Sequence, residues 1–515
     1  MPAHDRYRPR SPGRSPSLRA PSSWRLIAYL VVGLLLAACS PASTGGAAQS
    51  KAPAAQPSPS PTSSPMASPS PRPTSATYPD ANTWPTYHGN AARNGALPGS
   101  YVTPAKAWSS PSLAGAVWAE PVVWDDIALV VTERDNAYGV STTSGRVIWS
   151  EGLGTPVPAA NLACGDIYPY SGITGTPVID PQTGTAYLVA ASWVAGTVNH
   201  ELIALNMATG AVLWNRSANP AGANQSFEQQ RGALALGTGY LYVPYGGLDG
   251  DCGSYHGYVM AVPSNGSGSA HQWQDTQGYN QGGIWAPSGV AIDAAGNVYV
   301  TTGNSSDTSS LPANFDYGDA VVELSPTLQV LSWYAPNGPG PTEPWWSLNK
   351  YDTDLGTVGP TLLGDGLVFQ VGKQGVGYLL TAGNLGRMGP PAAQVQICDS
   401  GWGGVAVANN IVYVACADGI QAWTFQASPA ALTHVWSGPS MWAEPPIVAD
   451  GAVWYNGRST GHLYGLDPAT GRLLISLPVG ATEHFTTPTA VAGLIMIAGS
   501  DNAGSGTSVI NAFSF

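Results

Sequence analysis

The residues best suited to chemistry are aromatic and acidic, and one arrangement of them occurs twice. Trp118-Ala119-Glu120-Pro121 and Trp442-Ala443-Glu444-Pro445 are the same tetrapeptide, 324 positions apart, and an apolar run follows each. Trp285, Trp402 and His484 stand before similar runs. Aromatic faces beside a few carboxylates suit a flat or sugar-like ligand; the same tryptophans would equally plug a channel by packing on one another. A second group, Asp249, Asp251, Asp307, Asp316, Asp319, Asp352 and Asp354, offers the hard oxygen ligands that Ca²⁺ takes. It lacks the D-x-D-x-D-G spacing of a calcium loop, and Asp is also a turn residue through its own side chain. No G-x-S-x-G, H-E-x-x-H or C-x-x-C-H motif is present. The neighbours Glu483-His484 and His200-Glu201 would point to opposite faces of a strand, which weakens them as catalytic pairs.

The elements that would position these residues recur along the chain after Asn82. Inner strands "AEPVVW", "GTPVID", "RGALAL", "APSGVAI", "VGPTLL", "GGVAVA", "AEPPIV" and "TTPTAV" are each followed by a short turn and a second strand rich in Val and Tyr, such as "IALVVT" or "NVYVTT". Several units continue with "TTSGRVIW", "NMATGAVLW" or "DPATGRLLI". Alternating apolar residues with Gly, Asp and Asn turns predict four-stranded antiparallel meanders. Eight of them in one chain predict radial closure into an all-β, eight-bladed β-propeller. The last unit supplies only three strands, so Trp108 in "AKAWSS" is read as its outer strand and the ring as closed by the N-terminus. Long segments fall between second and third strands and between units. Both loop classes emerge on one face, where binding is expected, and Trp118, Glu120, Trp285, Trp402, Trp442, Glu444 and His484 are expected to ring the channel there.

The first 82 residues are read as export and tether. Six Arg precede the apolar stretch Leu26–Ala38, which is too short to span a bilayer comfortably and typical of a signal peptide. It ends in Leu36-Ala37-Ala38-Cys39, which resembles a lipobox with Cys39 lipidated; the alternative is an ordinary signal with a chance cysteine. Residues 39–82 are Pro/Ser-rich and expected to be a disordered tether, with residues 83–515 as the propeller. The expected location is extracytoplasmic, with the chain touching a bacterial membrane only through its lipid. Taking six Arg and one Asp from the 19 basic and 31 acidic residues leaves 13 and 30, a net charge of −17. Such a chain repels nucleic acid and anionic membrane surfaces. Four cysteines remain, an even number suited to two disulfides outside the cytoplasm. Cys398 precedes the first strand of the sixth unit. An Asn409-Asn410 turn would place Cys416, at the end of the second strand, opposite Gly403, so a fold-back brings Cys398 into reach. Cys164 and Cys252 lie in long-face loops of nearby units and are expected to pair.

"TSGRVIW", "ATGAVLW" and "LYGLDPATGRLL" resemble the pyrroloquinoline-quinone (PQQ) repeat. "WPTYHGNAARNG" resembles the leading segment of such propellers. "GITGTPVID", "GDCGSYHGYV" and "VGKQGVGYLL" resemble a PQQ-like subgroup of secreted bacterial proteins. The resemblance covers roughly residues 84–515 and implies that Trp149, Trp214, Trp273, Trp333 and Trp436 pack blades. It is specific for fold and poor for function. PQQ dehydrogenases of this fold carry adjacent cysteines above the cofactor, a Ca²⁺ site and an aspartate base. Here no two cysteines are adjacent, and no base is placed by motif. The sequence therefore favours a monomeric, non-catalytic binding or scaffold module for an envelope protein or glycan, with no cofactor. This is the role of the propeller lipoprotein in outer-membrane barrel assembly. The alternative is a quinoprotein oxidoreductase using PQQ and Ca²⁺ at an atypical site.

Overall fold

The computed structural model describes residues 82–338, 341–500 and 506–515. The expected signal peptide, Cys39 and the expected tether up to residue 81 lie outside the described residues, and among the described ones no helix is long and apolar enough to cross a membrane.

Eight antiparallel sheets follow one another along the chain, the blades of a propeller. Their innermost strands are Val122–Trp124, Val178–Asp180, Ala235–Gly237, Ala291–Ile292, Thr361–Leu362, Gly401–Ala408, Ile447–Ala449 and Thr489–Val491, taken as blades 1 to 8. Blade 8 is completed from the other end of the chain. Ala105–Ser109 pairs with Thr507–Ser514, and Trp108 lies opposite Ala512. The ring is therefore closed by the N-terminal strand, as the three-stranded last unit predicts.

The repeat sequence has a direct physical basis. The turns of "TTSGRVIW", "NMATGAVLW" and "DPATGRLLI" bend through a glycine of positive φ, which other residues rarely adopt, and the outer-strand tryptophan of the preceding blade lies on that glycine. A Cβ on Gly145, Gly210 or Gly471 would come 2.5 Å from Trp108, Trp149 or Trp436 respectively. The indole N–H of each donates to a carbonyl of the same turn, at Thr142 (2.8 Å), Met207 (2.8 Å) and Pro468 (2.9 Å). Trp214 packs likewise on Gly266. Trp273 and Trp333 pack differently, against Tyr317 and Phe315.

Both disulfides form, Cys164–Cys252 and Cys398–Cys416, with Cα atoms 6.1 and 6.2 Å apart. One register differs from expectation: Cys416 lies opposite Gly401, not Gly403. The reason is a bulge between Gly401 and Val405, centred on Gly403 at φ 78°. A bulge re-aims side chains, and this one carries Trp402. Opening the 18-residue link with Cys398→Ala and Cys416→Ala is expected to cost about 3 kcal/mol from restored chain entropy. Chemical denaturation of the double variant checks this, and an unchanged midpoint contradicts it. The two disulfides suit an oxidising, extracytoplasmic compartment.

The segment Trp84–Gly95 fills the channel. Trp84 pairs with Val123 in both directions, and the carbonyls of Pro85, Ala91, Ala92, Asn94 and Gly95 accept from the amides of Ile179, Ile292, Leu362, Val407 and Val448. One stretch of backbone thus ties the inner strands of blades 1, 2, 4, 5, 6 and 7. Arg93, buried at 1% exposure, adds blade 3: its guanidinium donates to Leu234 O (3.0 Å), Val290 O (2.8 Å), Tyr87 O (3.1 Å) and Thr86 Oγ1 (2.7 Å).

Candidate functional site

The aromatic residues singled out in the sequence converge at the channel mouth on the long-loop face. Trp402 is the hub, with ring centroids 5.4 Å from Trp442, 6.1 Å from His484 and 6.5 Å from Trp285. Phe485 occupies the middle. It stacks on His484 at 3.6 Å and lies 6.5 Å from both Trp285 and Trp402. Its backbone is left-handed, at φ 67°, and no pattern in the sequence marks it.

Three cations that sequence reasoning missed complete the mouth. Arg231 lies over Trp118 (5.1 Å) and Phe485 (5.5 Å), Lys373 over Trp285 and Trp402 (5.9 Å each), and Arg458 over Trp442 (4.6 Å). Cations over indole faces are held by the ring quadrupole. Arg231 is also paired with Asp166 at 2.8 Å. Among the described residues, the Arg458 guanidinium has no ion-pair partner.

The two glutamates of the repeated tetrapeptide are buried, each at 1% exposure. Glu120 does not face an open mouth. It accepts from Trp84 Nε1 (2.5 Å) and from the His88 amide (3.0 Å), so the channel segment uses both its oxygens. Glu444 accepts from the Phe485 amide (2.8 Å) through one oxygen, and its Oε1 has no partner. Burial pushes both carboxyls up to about 8. His484 Nε2 stands 3.9 Å from Glu444 Oε2. Burial, with Arg458 and Arg231 nearby, holds the imidazole well below its ordinary range, so at neutral pH this contact is not an ion pair. The indole nitrogens of Trp402 and Trp442 also have no acceptor.

The aspartates fall into separate local roles. Asp352 and Asp354 clamp Lys373 Nζ at 2.7 and 2.6 Å, so an ammonium stands between the two carboxylates. Asp354 also accepts from the Asn304 amide, and Asp319 from the Leu355 amide. Asp316 accepts from Ser305 Oγ and the Gly318 amide, and Asp307 from the Ser309 amide. Asp251 accepts from the Tyr255 hydroxyl, while Asp249 is exposed on the same loop. Among the described residues the one group of three His, Cys, Asp or Glu side chains with ligand atoms within 4.8 Å of one another is Cys398, Cys416 and Asp418, and its sulfurs are bonded to each other.

A sandwiched PQQ needs two parallel faces about 7 Å apart, twice the carbon–carbon contact distance of about 3.5 Å. At the mouth, the rings of Trp285, Trp402 and Phe485 stand 6.5 Å apart pairwise at mutual tilts of 32 to 53°, so no two of them present parallel faces. Beneath them a cavity of about 10 Å³ remains, lined by Tyr87, Trp118, Thr174, Thr176, Arg231 and Phe485. The residues as placed do not fit a tricyclic quinone with a bridging Ca²⁺.

Residues 101–313 match the family profile described as outer membrane protein assembly factor BamB. No curated protein matches the chain in sequence. Among solved structures, the quinohemoprotein alcohol dehydrogenase from Comamonas testosteroni is 16% identical, with 84% of this chain and 80% of that one covered and a TM-score of 0.63. A europium-containing methanol dehydrogenase is 14% identical, with 85% and 98% covered and a TM-score of 0.61. BamB from Moraxella catarrhalis is 14% identical, with 80% and 100% covered and a TM-score of 0.51. At such identities these likenesses establish the fold alone: an eight-bladed β-propeller.

Proposed function

We propose that this PQQ-like β-propeller is a non-catalytic binding or scaffold module, anchored through a lipid on Cys39, whose channel mouth takes an envelope protein or glycan. The observation that carries this reading is the mouth itself. Indole faces are gathered there beside an unpaired Arg458, and the N–H groups of Trp402 and Trp442 and one oxygen of Glu444 have no partner. Tryptophan and arginine in partly desolvated positions are the side chains that dominate binding energy at interfaces. The BamB profile match and the BamB fold likeness agree with a scaffold.

The test is retention of envelope proteins or peptidoglycan fragments on the purified full chain. Trp402→Ala with Trp442→Ala is expected to weaken retention at least about 30-fold, as loss of a hot spot of about 2 kcal/mol requires. Equal retention by the wild type and the variant contradicts the reading.

The same geometry supports the absence of PQQ. Incubation with PQQ and Ca²⁺ is expected to leave no stoichiometric chromophore and no dye-linked oxidation of alcohols or sugars. A bound quinone spectrum that disappears in Trp285→Ala would promote the oxidoreductase instead.

A further inference from the structure

A cleft of about 950 Å³ lies between blades 3 and 4, bounded by the outer strand of blade 3, His271–Gln274, and the start of the outer strand of blade 4, Val330–Tyr334. It shares no residue with the aromatic mouth of the channel. Its volume is at the upper end of what small-molecule sites enclose, room for several rings rather than one.

The cleft exists because one seam of the ring departs from the repeat. Elsewhere a tryptophan of one blade lies directly on a turn glycine of the next, at Gly145, Gly210, Gly266 and Gly471. The corresponding turn of blade 4, Ser325 to Gln329, contains no glycine, and its left-handed position is taken by Leu328 at φ 65°. A Cβ alone would collide with an indole lying on such a turn, so a leucine excludes it. Trp273 packs instead edge to face on Tyr317, with centroids 5.9 Å apart. Its N–H donates to no atom among the described residues, whereas those of Trp108, Trp149 and Trp436 donate to turn carbonyls. Tyr317 is also left-handed, at φ 70°. Bulky residues rarely hold that conformation, and where they do the strain collects at ligand-binding places.

The lining has an unusual chemistry. Five of its thirteen residues are Gln or Asn and four are aromatic, while none is a lysine, arginine or histidine. The side chains of Gln274, Gln277 and Gln329 and the hydroxyls of Tyr279 and Tyr317 have no hydrogen-bond partner among the described residues. An anionic ligand therefore finds no counter-charge. A cationic one finds only Asp316, which is buried and already accepts from Ser305 Oγ and the Gly318 amide. A purely apolar one would strip the amides of water without replacing their bonds. Amides and phenols both donate and accept, as sugar hydroxyls do, and aromatic rings cover the apolar faces of pyranoses.

We infer that this cleft binds a neutral oligosaccharide, its rings against Trp273 and Tyr317 and its hydroxyls on the amides of Gln274, Gln277 and Gln329. The site stands apart from the mouth in both place and ligand, and does not depend on what the mouth takes.

The experiment is calorimetric titration of the full chain with three neutral hexasaccharides, of β-1,4-glucose, α-1,4-glucose and β-1,4-N-acetylglucosamine. The hexamer of galacturonic acid serves as the charged counterpart and octaproline as an extended peptide. At least one neutral sugar is expected to bind, and the galacturonic hexamer at least about tenfold more weakly, since the cleft offers its carboxylates no cation. Gln277→Ala with Gln329→Ala removes two exposed side chains that hold nothing in the fold. The double variant is expected to keep the wild-type Tm and to bind the sugar at least about tenfold more weakly, as the loss of two hydrogen bonds requires. Trp402→Ala with Trp442→Ala, at the mouth, is expected to leave this affinity unchanged. The inference is overturned if no neutral sugar binds at millimolar concentration, or if octaproline binds and the sugars do not. Equal binding of the galacturonic hexamer, equal binding by the glutamine variant, or loss of sugar binding in the mouth variant overturns it as well.

Discussion

Replacing Trp84 with alanine is expected to destabilise the propeller by about 3–5 kcal/mol, the cost of emptying the site of a large core aromatic. Trp84 has no exposed surface and packs in the core shared by blades 1, 7 and 8. Its loss also takes the N–H donor from the buried Glu120. Arg93→Ala is expected to cost a similar amount, since removal of the guanidinium leaves several buried acceptors without a donor at once. Three carbonyls, those of Leu234, Val290 and Tyr87, lose their donor together. Arg93→Lys does not rescue it, because an ammonium lacks the planar fork that reaches partners on three sides. Urea unfolding checks both variants against Leu473→Ala, an exposed residue of blade 7. Midpoints for Trp84→Ala and Arg93→Ala that match this control would show that the channel segment does not hold the ring.

Stability is expected to fall as pH rises from about 5 to about 8.5. Glu120 and Glu444 are held at about 8 in the folded chain by burial, against an ordinary value of 4.5, and Asp135 is likewise held at about 8 against 3.8. Between the ordinary and the raised values the folded state binds protons that the unfolded state has released. Raising the pH therefore favours unfolding, by up to about 1.4 kcal/mol per pH unit for each such group. Below the ordinary value both states are protonated and the effect vanishes. Tm measured against pH checks the slope. Glu444→Gln is the cleaner probe, since a glutamine oxygen still accepts from the Phe485 amide, whereas Glu120 accepts two donors at once. The variant is expected to flatten the slope by one group's share, and an unaltered slope contradicts the assignment.

The blades were legible in the sequence because their signals are local. Alternation marks each strand, and the Thr-Gly turn with its tryptophan marks the outer pair. The repeated Trp-Ala-Glu-Pro tetrapeptide marks the same place in blades 1 and 7, where each glutamate accepts a backbone amide from a segment crossing the axis, at His88 and at Phe485. Legibility failed where partners are distant or geometry is irregular. The bulge at Gly403 shifts the register of blade 6 by two residues without any marker beyond one more glycine in a glycine-rich chain. The route of Trp84–Gly95 across six inner strands rests on one or two backbone hydrogen bonds per strand, to residues up to 353 positions away, as between Gly95 and Val448, and has no period to detect. At the mouth the tryptophans were found because they lead the inner strands. Arg231, Lys373 and Arg458 come from three different loops, and only the closed ring brings them over the indoles. Lys373 also changes what Asp352 and Asp354 are for, since its ammonium already stands between them.

The pairing of Ala105–Ser109 with Thr507–Ser514 has a consequence for how the molecule comes apart. A linear array of repeats melts from its ends, because a terminal repeat has one neighbour and leaves at the cost of one interface. In this ring every blade has two neighbours, and the seam is a sheet of the same kind as the rest. Removing any blade costs two interfaces at once, so partial fraying is suppressed and unfolding is driven toward a single cooperative step. The ring also cannot close until its final strand has been made, so blades 1 and 8 wait for Phe513 before they gain each other as neighbours.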